Sequence, residues 1–334
     1  MQRVNLRSMS FCVTLFAGSA CTSSAPVTET EQSHGNQSLG ERVTRSCGEF
    51  PDLRDAPPRL GVELPIAQAA TRALSCAGRL PGYSERCPDS IDSKSGRSLC
   101  PAGTSDKNYP NQQVFCGSCV ASRAEMLAFG VHMLADVDTM VQIQGCAAEG
   151  RCEGWKLCSE AGEPGFTAQH WLTSYVGWAI APGRGFFRGD GQPGPEEQRP
   201  CRPHDAALWI EAATVFARMS KHQSFVASTR APQLGVDYDR LKKLLQPGCR
   251  IPGVEGGGQW WIPATVALNN HGLFCLSQHP DGLYTANICG VEKISDCTVS
   301  RAVLATISAR MRGDVPLAEC EPISLQAVTC SAPR

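Results

Sequence analysis

The sequence predicts an α+β fold that is cross-linked by many disulfides. Most segments with helical periodicity come first, whereas three strand-like runs follow Gly256-Gly257-Gly258. Helices first and strands later are typical of an α+β arrangement, because a parallel α/β sheet needs the two to alternate along the chain. The 18 cysteines among 334 residues indicate an oxidising compartment on the secretory route, since cytosolic thiols are kept reduced.

The N-terminal region predicts a signal peptide followed by a leader. Arg3 and Arg7 precede a short apolar run and several small residues, so residues 1–20 are expected to be a signal peptide. Residues 21–45 are rich in Ser, Thr, Glu, Gln and Gly, a composition that is typical of disorder. We expect residues 21–79 to form a leader or pro-segment of a zymogen.

The main domain is expected over residues 80–334. Its first part, as far as Pro110, has few apolar residues and carries Cys87-Pro88 and Cys100-Pro101, which predicts a loop held by disulfides. Apolar residues at helical spacing predict helices over Ile66–Leu74, Cys119–Ala135, Thr167–Trp178, Ala206–Met219, Tyr238–Leu245 and Thr298–Met311. Apolar runs predict strands over Trp260–Leu268, Gly272–Leu276 and Leu283–Ile288.

Charge and hydropathy exclude some classes of partner. The chain has 31 Lys plus Arg and 32 Asp plus Glu, a formal net charge of −1, so no general electrostatic attraction to nucleic acid or anionic membranes is expected. No stretch beyond the signal peptide approaches the roughly 18 consecutive apolar residues of a membrane helix, so no membrane span is predicted. We expect a monomer without cofactor or metal, and a peptide or protein as substrate.

Cys119 is the leading candidate for a reactive residue. It stands at the start of a predicted helix whose apolar stripe is formed by Val120, Ala124, Leu127, Val131 and Leu134. A thiol in the first turn of a helix lies near unpaired backbone N–H groups and the positive end of the helix dipole, which favour the thiolate. The thiolate is the nucleophilic form of cysteine.

The string Gln113-Val114-Phe115-Cys116-Gly117-Ser118-Cys119 resembles the active-site motif of papain-like cysteine proteases, the cathepsins. The resemblance implies a papain-like two-lobed fold, with a helical lobe that carries the nucleophile and a β-rich lobe. It implies that Cys119 attacks the scissile carbonyl and that Cys116 is a structural disulfide partner. The Gln113 side chain and the Cys119 N–H would form the oxyanion hole, where preorganised donors stabilise the tetrahedral intermediate.

A second segment resembles cathepsin B within that family. Cys158 to Pro164, followed by Ala168, Trp171-Leu172-Thr173 and Gly177, is similar to the segment in which a cysteine, a glycine pair and a proline precede a Trp-rich helix. This resemblance implies a disulfide between Cys116 and Cys158. It also implies that the backbone at Gly162 holds the main chain of the substrate like an added strand.

His271 is the candidate base. Asn270-His271-Gly272-Leu273 resembles the Asn-His-Gly-Val of cathepsins, and Tyr284 to Asn287 resembles the strand that carries the orienting asparagine. The resemblance implies that His271 is general base and acid and that Asn287 holds its imidazole. In a rival alignment, the helix and Gly-Pro turn of Thr298–Leu317 match those that precede the histidine strand of cathepsin B. The chain would then end before its base, and His271 would be an ordinary strand histidine.

The expected function is therefore cysteine-type endopeptidase activity in an extracellular or lysosome-like compartment. The main alternative is a catalytically inactive cathepsin B-like homologue that binds peptides or matrix partners. A third hypothesis is a disulfide-rich extracellular interaction module. Cys116 and Cys119 also match the Cys-x-x-Cys redox motif of thioredoxin-type proteins. A further alternative is that Cys119 is a structural disulfide partner.

Overall fold

In the part of the chain that the computed structural model describes, nine α-helices and six short strands form. The helices are α1 Pro51–Arg54, α2 Leu64–Cys76, α3 Arg123–Leu134, α4 Val137–Ala148, α5 Trp171–Ile180, α6 Trp209–Met219, α7 Ala231–Leu244, α8 Ile262–Asn270 and α9 Arg301–Arg312. The described residues are 50–54, 60–80, 83–84, 86–87, 90–104, 107–110, 112–135, 137–152, 154–163, 166–181, 185–187, 199–221, 231–245, 249–254, 259–278, 284–286 and 293–330.

Helices α3 and α9 form the centre of the core. Eleven of the twelve residues of α3 are buried, and α3 packs against α5, α6 and α9. An amphipathic helix with one apolar stripe was the expectation, but a helix that is buried all round is a central core helix. Helix α9 packs most extensively against α2, whose Ala67, Ala70 and Leu74 are fully buried. Part of the predicted pro-segment therefore shares the main core.

The predicted helices are confirmed, with shifted ends. The helix predicted from Cys119 begins only at Arg123, because Ser122 and Glu125 form a capping box there. The last helix ends where Gly313 adopts a left-handed conformation, φ 82°, as its position just past the apolar stripe predicts. Helix α4 was not predicted, although its buried residues Met140, Ile143 and Ala147 stand at helical spacing.

The strands make three separate two-stranded antiparallel ladders. They are β1 Tyr83–Ser84 with β2 Gln113–Val114, β3 Cys249–Arg250 with β6 Thr329–Cys330, and β4 Leu276–Gln278 with β5 Tyr284–Ala286. This combination of helices with a few short strands confirms the predicted α+β class.

The predicted β-rich part is largely wrong. Residues predicted as the strand Trp260–Leu268 lie mainly in helix α8, whose Ile262 to Asn269 are all buried. A short apolar run cannot be assigned to strand or helix by periodicity when every side of it is buried. Pro263 in the first turn fits the helix, since the backbone N–H that proline lacks has no partner there. Only the short β4–β5 ladder remains of the predicted strands.

Six disulfides join pairs of described cysteines, which confirms a disulfide-rich fold. The pairs are Cys87–Cys116, Cys100–Cys119, Cys146–Cys152, Cys158–Cys201, Cys249–Cys330 and Cys275–Cys320. They fit the oxidising, secretory-route compartment that the number of cysteines predicts. As for membranes, none of the helices in these ranges has the length and apolar character to cross one.

Candidate functional site

Cys119 is bonded to Cys100, so the predicted free nucleophile is wrong for this structure. Its side chain is 3% exposed and lies in a small cluster with Cys87, Cys100 and Cys116. The Val120 N–H donates to the Leu99 carbonyl at 2.7 Å, and this contact holds the two cysteine-bearing segments side by side. A sulfur in a disulfide is not a thiolate and cannot attack a carbonyl.

The backbone around Cys119 also differs from the predicted nucleophile site. Cys119 precedes the N-cap Ser122, so it is not in the first turn of α3. Its N–H donates to the Cys116 carbonyl at 3.0 Å, which leaves it unavailable to an oxyanion. The side chains of Ser122 and Glu125 satisfy backbone N–H groups at the start of the helix. Neither the helix dipole nor free donors act on the sulfur as predicted.

The disulfide that the resemblance implies between Cys116 and Cys158 does not form. Cys116, just after β2, is bonded to Cys87, which follows β1, the antiparallel partner of β2. Cys116 and Cys119 therefore each bond a distant partner, and the thioredoxin-type hypothesis, which needs them bonded to one another, is also wrong.

Cys158 is bonded to Cys201 instead. The Ser159 N–H donates to the Arg199 carbonyl at 2.7 Å, and the Arg199 N–H donates back to Leu157. This backbone pairing places the two cysteine-bearing segments together. Each of these bonds thus follows a local backbone contact that the sequence does not reveal.

Gln113, the predicted oxyanion-hole residue, lies in a strand, and Gly162, the predicted substrate-binding residue, lies in a turn. Gln113 lies in β2, opposite Ser84, and is half-buried. Gly162 lies in an exposed turn with φ 97°, a conformation that favours glycine, and its N–H donates to the Phe166 carbonyl at 3.0 Å. Because that N–H and the neighbouring Ser159 N–H already bond within the chain, a substrate strand cannot pair with them.

His271 is the C-cap residue of α8 and not a strand histidine. Its Nε2 lies 2.8 Å from a carboxylate oxygen of Asp237 on α7, and the side chain is 19% exposed. Asn287, its predicted orienting partner, lies outside the described residues. The partner of the His271 imidazole is the carboxylate of Asp237, a residue that the sequence analysis did not identify.

Cys119 and His271 lie near opposite ends of helix α9. At the N-terminal end, the Arg301 N–H donates to the Cys119 carbonyl at 3.0 Å. Towards the other end, the Arg310 guanidinium donates to the Leu273 carbonyl at 2.9 Å. About 14 Å of helix separate Arg301 from Arg310, at a rise of about 1.5 Å per residue. The two residues are not arranged as a nucleophile and its base.

Asp52 contacts the loop that was predicted to form the active site. Its two carboxylate oxygens accept hydrogen bonds from the Phe115 and Cys116 N–H groups, both at 2.7 Å. Burial raises the pKa of Asp52, although these hydrogen bonds, a further one from Gly117 and the charge of Arg301 oppose the rise. Sequence reasoning missed this carboxylate because it lies more than 60 positions before the loop.

A buried charge network lies beneath the same loop. The Arg301 guanidinium, 3% exposed, contacts the Glu125 carboxylate at 2.6 Å and also bonds the Tyr83 hydroxyl. Burial lowers the pKa of Arg301, whereas the charges of Glu125 and Asp52 raise it. The network connects α3, α9 and β1, so its contacts have a structural role.

Two histidines approach one another beside the Trp-rich helix. The rings of His170 and His204 have centroids 6.2 Å apart, and the His170 Nδ1 accepts a hydrogen bond from the Leu172 N–H at the start of α5. His170 is therefore a helix cap. Among the described residues, no group of three or more His, Cys, Asp or Glu side chains is arranged to hold a metal ion.

Comparison with known proteins finds no relative. No protein-family model matches the chain, and neither a curated protein nor a solved structure is detectably similar to it. The likeness to papain-like proteases therefore rests on the motif residues alone.

Proposed function

We propose that this chain is a non-catalytic, disulfide-stabilised protein of the secretory route that binds a peptide segment of a partner. The observation that carries the proposal is the disulfide between Cys100 and Cys119. With its sulfur bonded and its N–H committed to Cys116, Cys119 supplies neither nucleophile nor oxyanion donor. The proposal shares peptide binding without catalysis with the inactive cathepsin B-like alternative, but it assigns the chain to no protease family.

The placement of His271 supports the same proposal. Its imidazole is paired with Asp237 and lies at the far end of α9 from Cys119. A general base must come within hydrogen-bond reach of the proton that it removes. Arg301 and Arg310, which bond the carbonyls of Cys119 and Leu273, are roughly 14 Å apart along α9.

Peptide binding is favoured over other kinds of binding by the loop of residues 115–117. The Phe115 and Cys116 N–H groups of this loop donate to the carboxylate of Asp52, from another segment of the chain, and buried apolar side chains lie beside it. Main-chain donors next to apolar pockets are a common way of recognising extended peptides. The near-neutral net charge of −1 gives no comparable reason to propose a polyanion.

The test combines binding and cleavage in one experiment. The oxidised full-length chain is immobilised and offered a displayed random peptide library, with reduced and alkylated chain as the control for adhesion to unfolded protein. We expect enriched peptides that remain intact by mass spectrometry after overnight incubation at pH 5.5 and pH 7.5. Cleavage that is lost in Cys119→Ser would overturn the proposal, and so would a failure to enrich any peptide above the control.

A further inference from the structure

Helix α1 and Phe50 before it are seated on the loop of residues 115–117 as a peptide ligand would be. The carboxylate of Asp52 receives two consecutive backbone N–H groups, from Phe115 and Cys116, in 2.7 Å hydrogen bonds. Cys116 has φ 62°, in the left-handed region, and its N–H and that of Phe115 converge on this one carboxylate, as N–H groups do in backbone concavities. Such a concavity binds anionic oxygens.

Apolar contacts flank the carboxylate on both sides. The rings of Phe50 and Phe115 have centroids 5.6 Å apart, and Phe50 is 5% exposed. Leu53 is 1% exposed, and a Cβ at Gly117 would lie only 2.6 Å from its terminal methyl. The absence of a side chain at Gly117 therefore makes the space that Leu53 fills.

A buried positive charge lies near the same position. The charge of Arg301 acts to lower the pKa of Asp52, and its guanidinium lies 5.3 Å from the centre of the Phe115 ring. A cation beneath backbone donors favours a carboxylate over a neutral amide. The three features together select an acidic residue with an apolar residue on each side.

We propose that the loop of residues 115–117 is a peptide-recognition site that the segment Phe50–Arg54 fills within the same chain. This rests on the proposed function and deepens it, since it names the site and the class of ligand. The ligand class is a peptide in which an aromatic residue and a leucine flank an aspartate in the order Phe-x-Asp-Leu. A partner carrying such a segment displaces Phe50–Arg54 and takes its hydrogen bonds.

Competition from Phe50–Arg54 lowers the apparent affinity of the site for a partner. A segment tethered through a short connection acts at an effective concentration on the order of millimolar. A binding-competent state that is rarely populated weakens the apparent affinity by the same fraction. Variants that weaken the internal segment must therefore bind an added peptide more tightly than the wild type does.

The test uses full-length protein and a fluorescent peptide with the sequence of residues 48–56. Asp52→Ala/Leu53→Ala empties the site in one variant, and Asp52→Ala alone is a second variant in case the first does not fold. Fluorescence anisotropy is expected to show saturable binding that is at least tenfold tighter to either variant than to the wild type. The matched peptide with Asn in place of Asp52 is expected to bind at least tenfold more weakly.

Adding Gly117→Val to the Asp52→Ala/Leu53→Ala variant, in which the leucine no longer fills this space, maps the binding. The valine side chain enters the space that the leucine of the peptide would fill, so binding is expected to disappear while circular dichroism and the disulfides between described cysteines stay unchanged. No binding to a folded variant, equal binding of the Asn peptide, or binding that survives Gly117→Val would overturn the inference. Library peptides that bind the wild type but ignore Gly117→Val would overturn it and leave the proposed function standing.

Discussion

Cys119 and His271 lie near opposite ends of helix α9, held there by backbone contacts at Arg301 and by the Arg310 side chain. The sequence motifs around both residues predict that they face one another across a cleft. Arg301 and Arg310 are about 14 Å apart along α9, because an α-helix extends about 1.5 Å per residue. The motif residues are present, but they do not form a dyad.

The disulfides are expected to stabilise the fold in the order of the loops that they close. Among the six disulfides described, Cys249–Cys330 closes the longest loop, with a separation of 81 residues, and Cys146–Cys152 closes the shortest, with a separation of 6 residues. Each is removed by replacing both cysteines with alanine. The chain-entropy relation gives losses of about 4.5 and 2 kcal/mol, and about 3 kcal/mol for Cys100–Cys119. Denaturant unfolding of the three variants measures the free energies. Equal losses for all three would contradict the prediction.

The carboxylate of Glu160 is expected to make the stability depend on pH. It accepts hydrogen bonds from the Cys201 and Arg202 N–H groups, both at 3.0 Å. Burial raises the pKa of Glu160, but these hydrogen bonds outweigh it, so that its pKa lies below its ordinary value of 4.5. The stabilisation is therefore complete above pH 4.5 and is lost as the pH falls through the lowered pKa.

Glu160→Gln removes one of the two acceptors, so we expect a loss of about 1–2 kcal/mol at pH 7. Urea unfolding from pH 7 to pH 3 checks this, and the difference from wild type should shrink below pH 4.5. Glu163→Gln is the matched control on the same turn. Because Glu163 is exposed, its replacement should change the free energy of unfolding by less than about 0.5 kcal/mol. A difference for Glu160→Gln that does not change with pH would contradict the assignment.

Two glycine-to-alanine replacements are expected to have opposite effects. A Cβ at Gly117 meets the terminal methyl of Leu53 at 2.6 Å, whereas a Cβ at Gly145 in α4 meets nothing within 4 Å. Gly117→Ala should therefore lower the free energy of unfolding by about 1–3 kcal/mol through overpacking. Gly145→Ala should raise it by up to about 1 kcal/mol, because alanine favours the helix. Thermal unfolding of both variants measures these changes, and a Gly117→Ala variant more stable than the wild type would contradict the prediction.

The buried Arg301 is expected to be costly to remove alone. Arg301→Met leaves the Glu125 carboxylate, 12% exposed, without its 2.6 Å partner. Removing one member of a buried ion pair costs about 3–5 kcal/mol, because the other charge stays buried without compensation. Arg301→Met/Glu125→Gln should recover part of that loss in the same unfolding measurement. A double variant less stable than Arg301→Met alone would contradict the prediction that the unpaired Glu125 charge causes the loss.

Helices were predictable from the sequence where an apolar stripe and a terminal signal coincide. Helix α9 ends at Gly313 as expected, since glycine adopts the left-handed conformation without strain. Helix α8 was predicted as a strand because burial on all sides removes the periodicity that distinguishes the two. Its surroundings, which no local pattern encodes, decide its conformation.

The candidate site was predictable only in part, for a related reason. The motif around Cys116 and Cys119 identifies the loop, which does contact a carboxylate through its backbone. The occupant, Asp52, and the disulfide partners, Cys87 and Cys100, come from distant positions. Counts of cysteines allow many pairings, and only the tertiary contacts select one of them.

The state of the Cys119 sulfur in the native protein tests the central claim most directly. Unreduced protein is treated with iodoacetamide and an epoxide probe at pH 5.5, digested without reduction, and mapped by mass spectrometry. We expect a disulfide-linked peptide pair containing Cys100 and Cys119 and no adduct at Cys119, in the wild type and in His271→Ala alike. Rapid adduct formation at Cys119 in the wild type, slowed by His271→Ala, would contradict the account and restore the peptidase hypothesis.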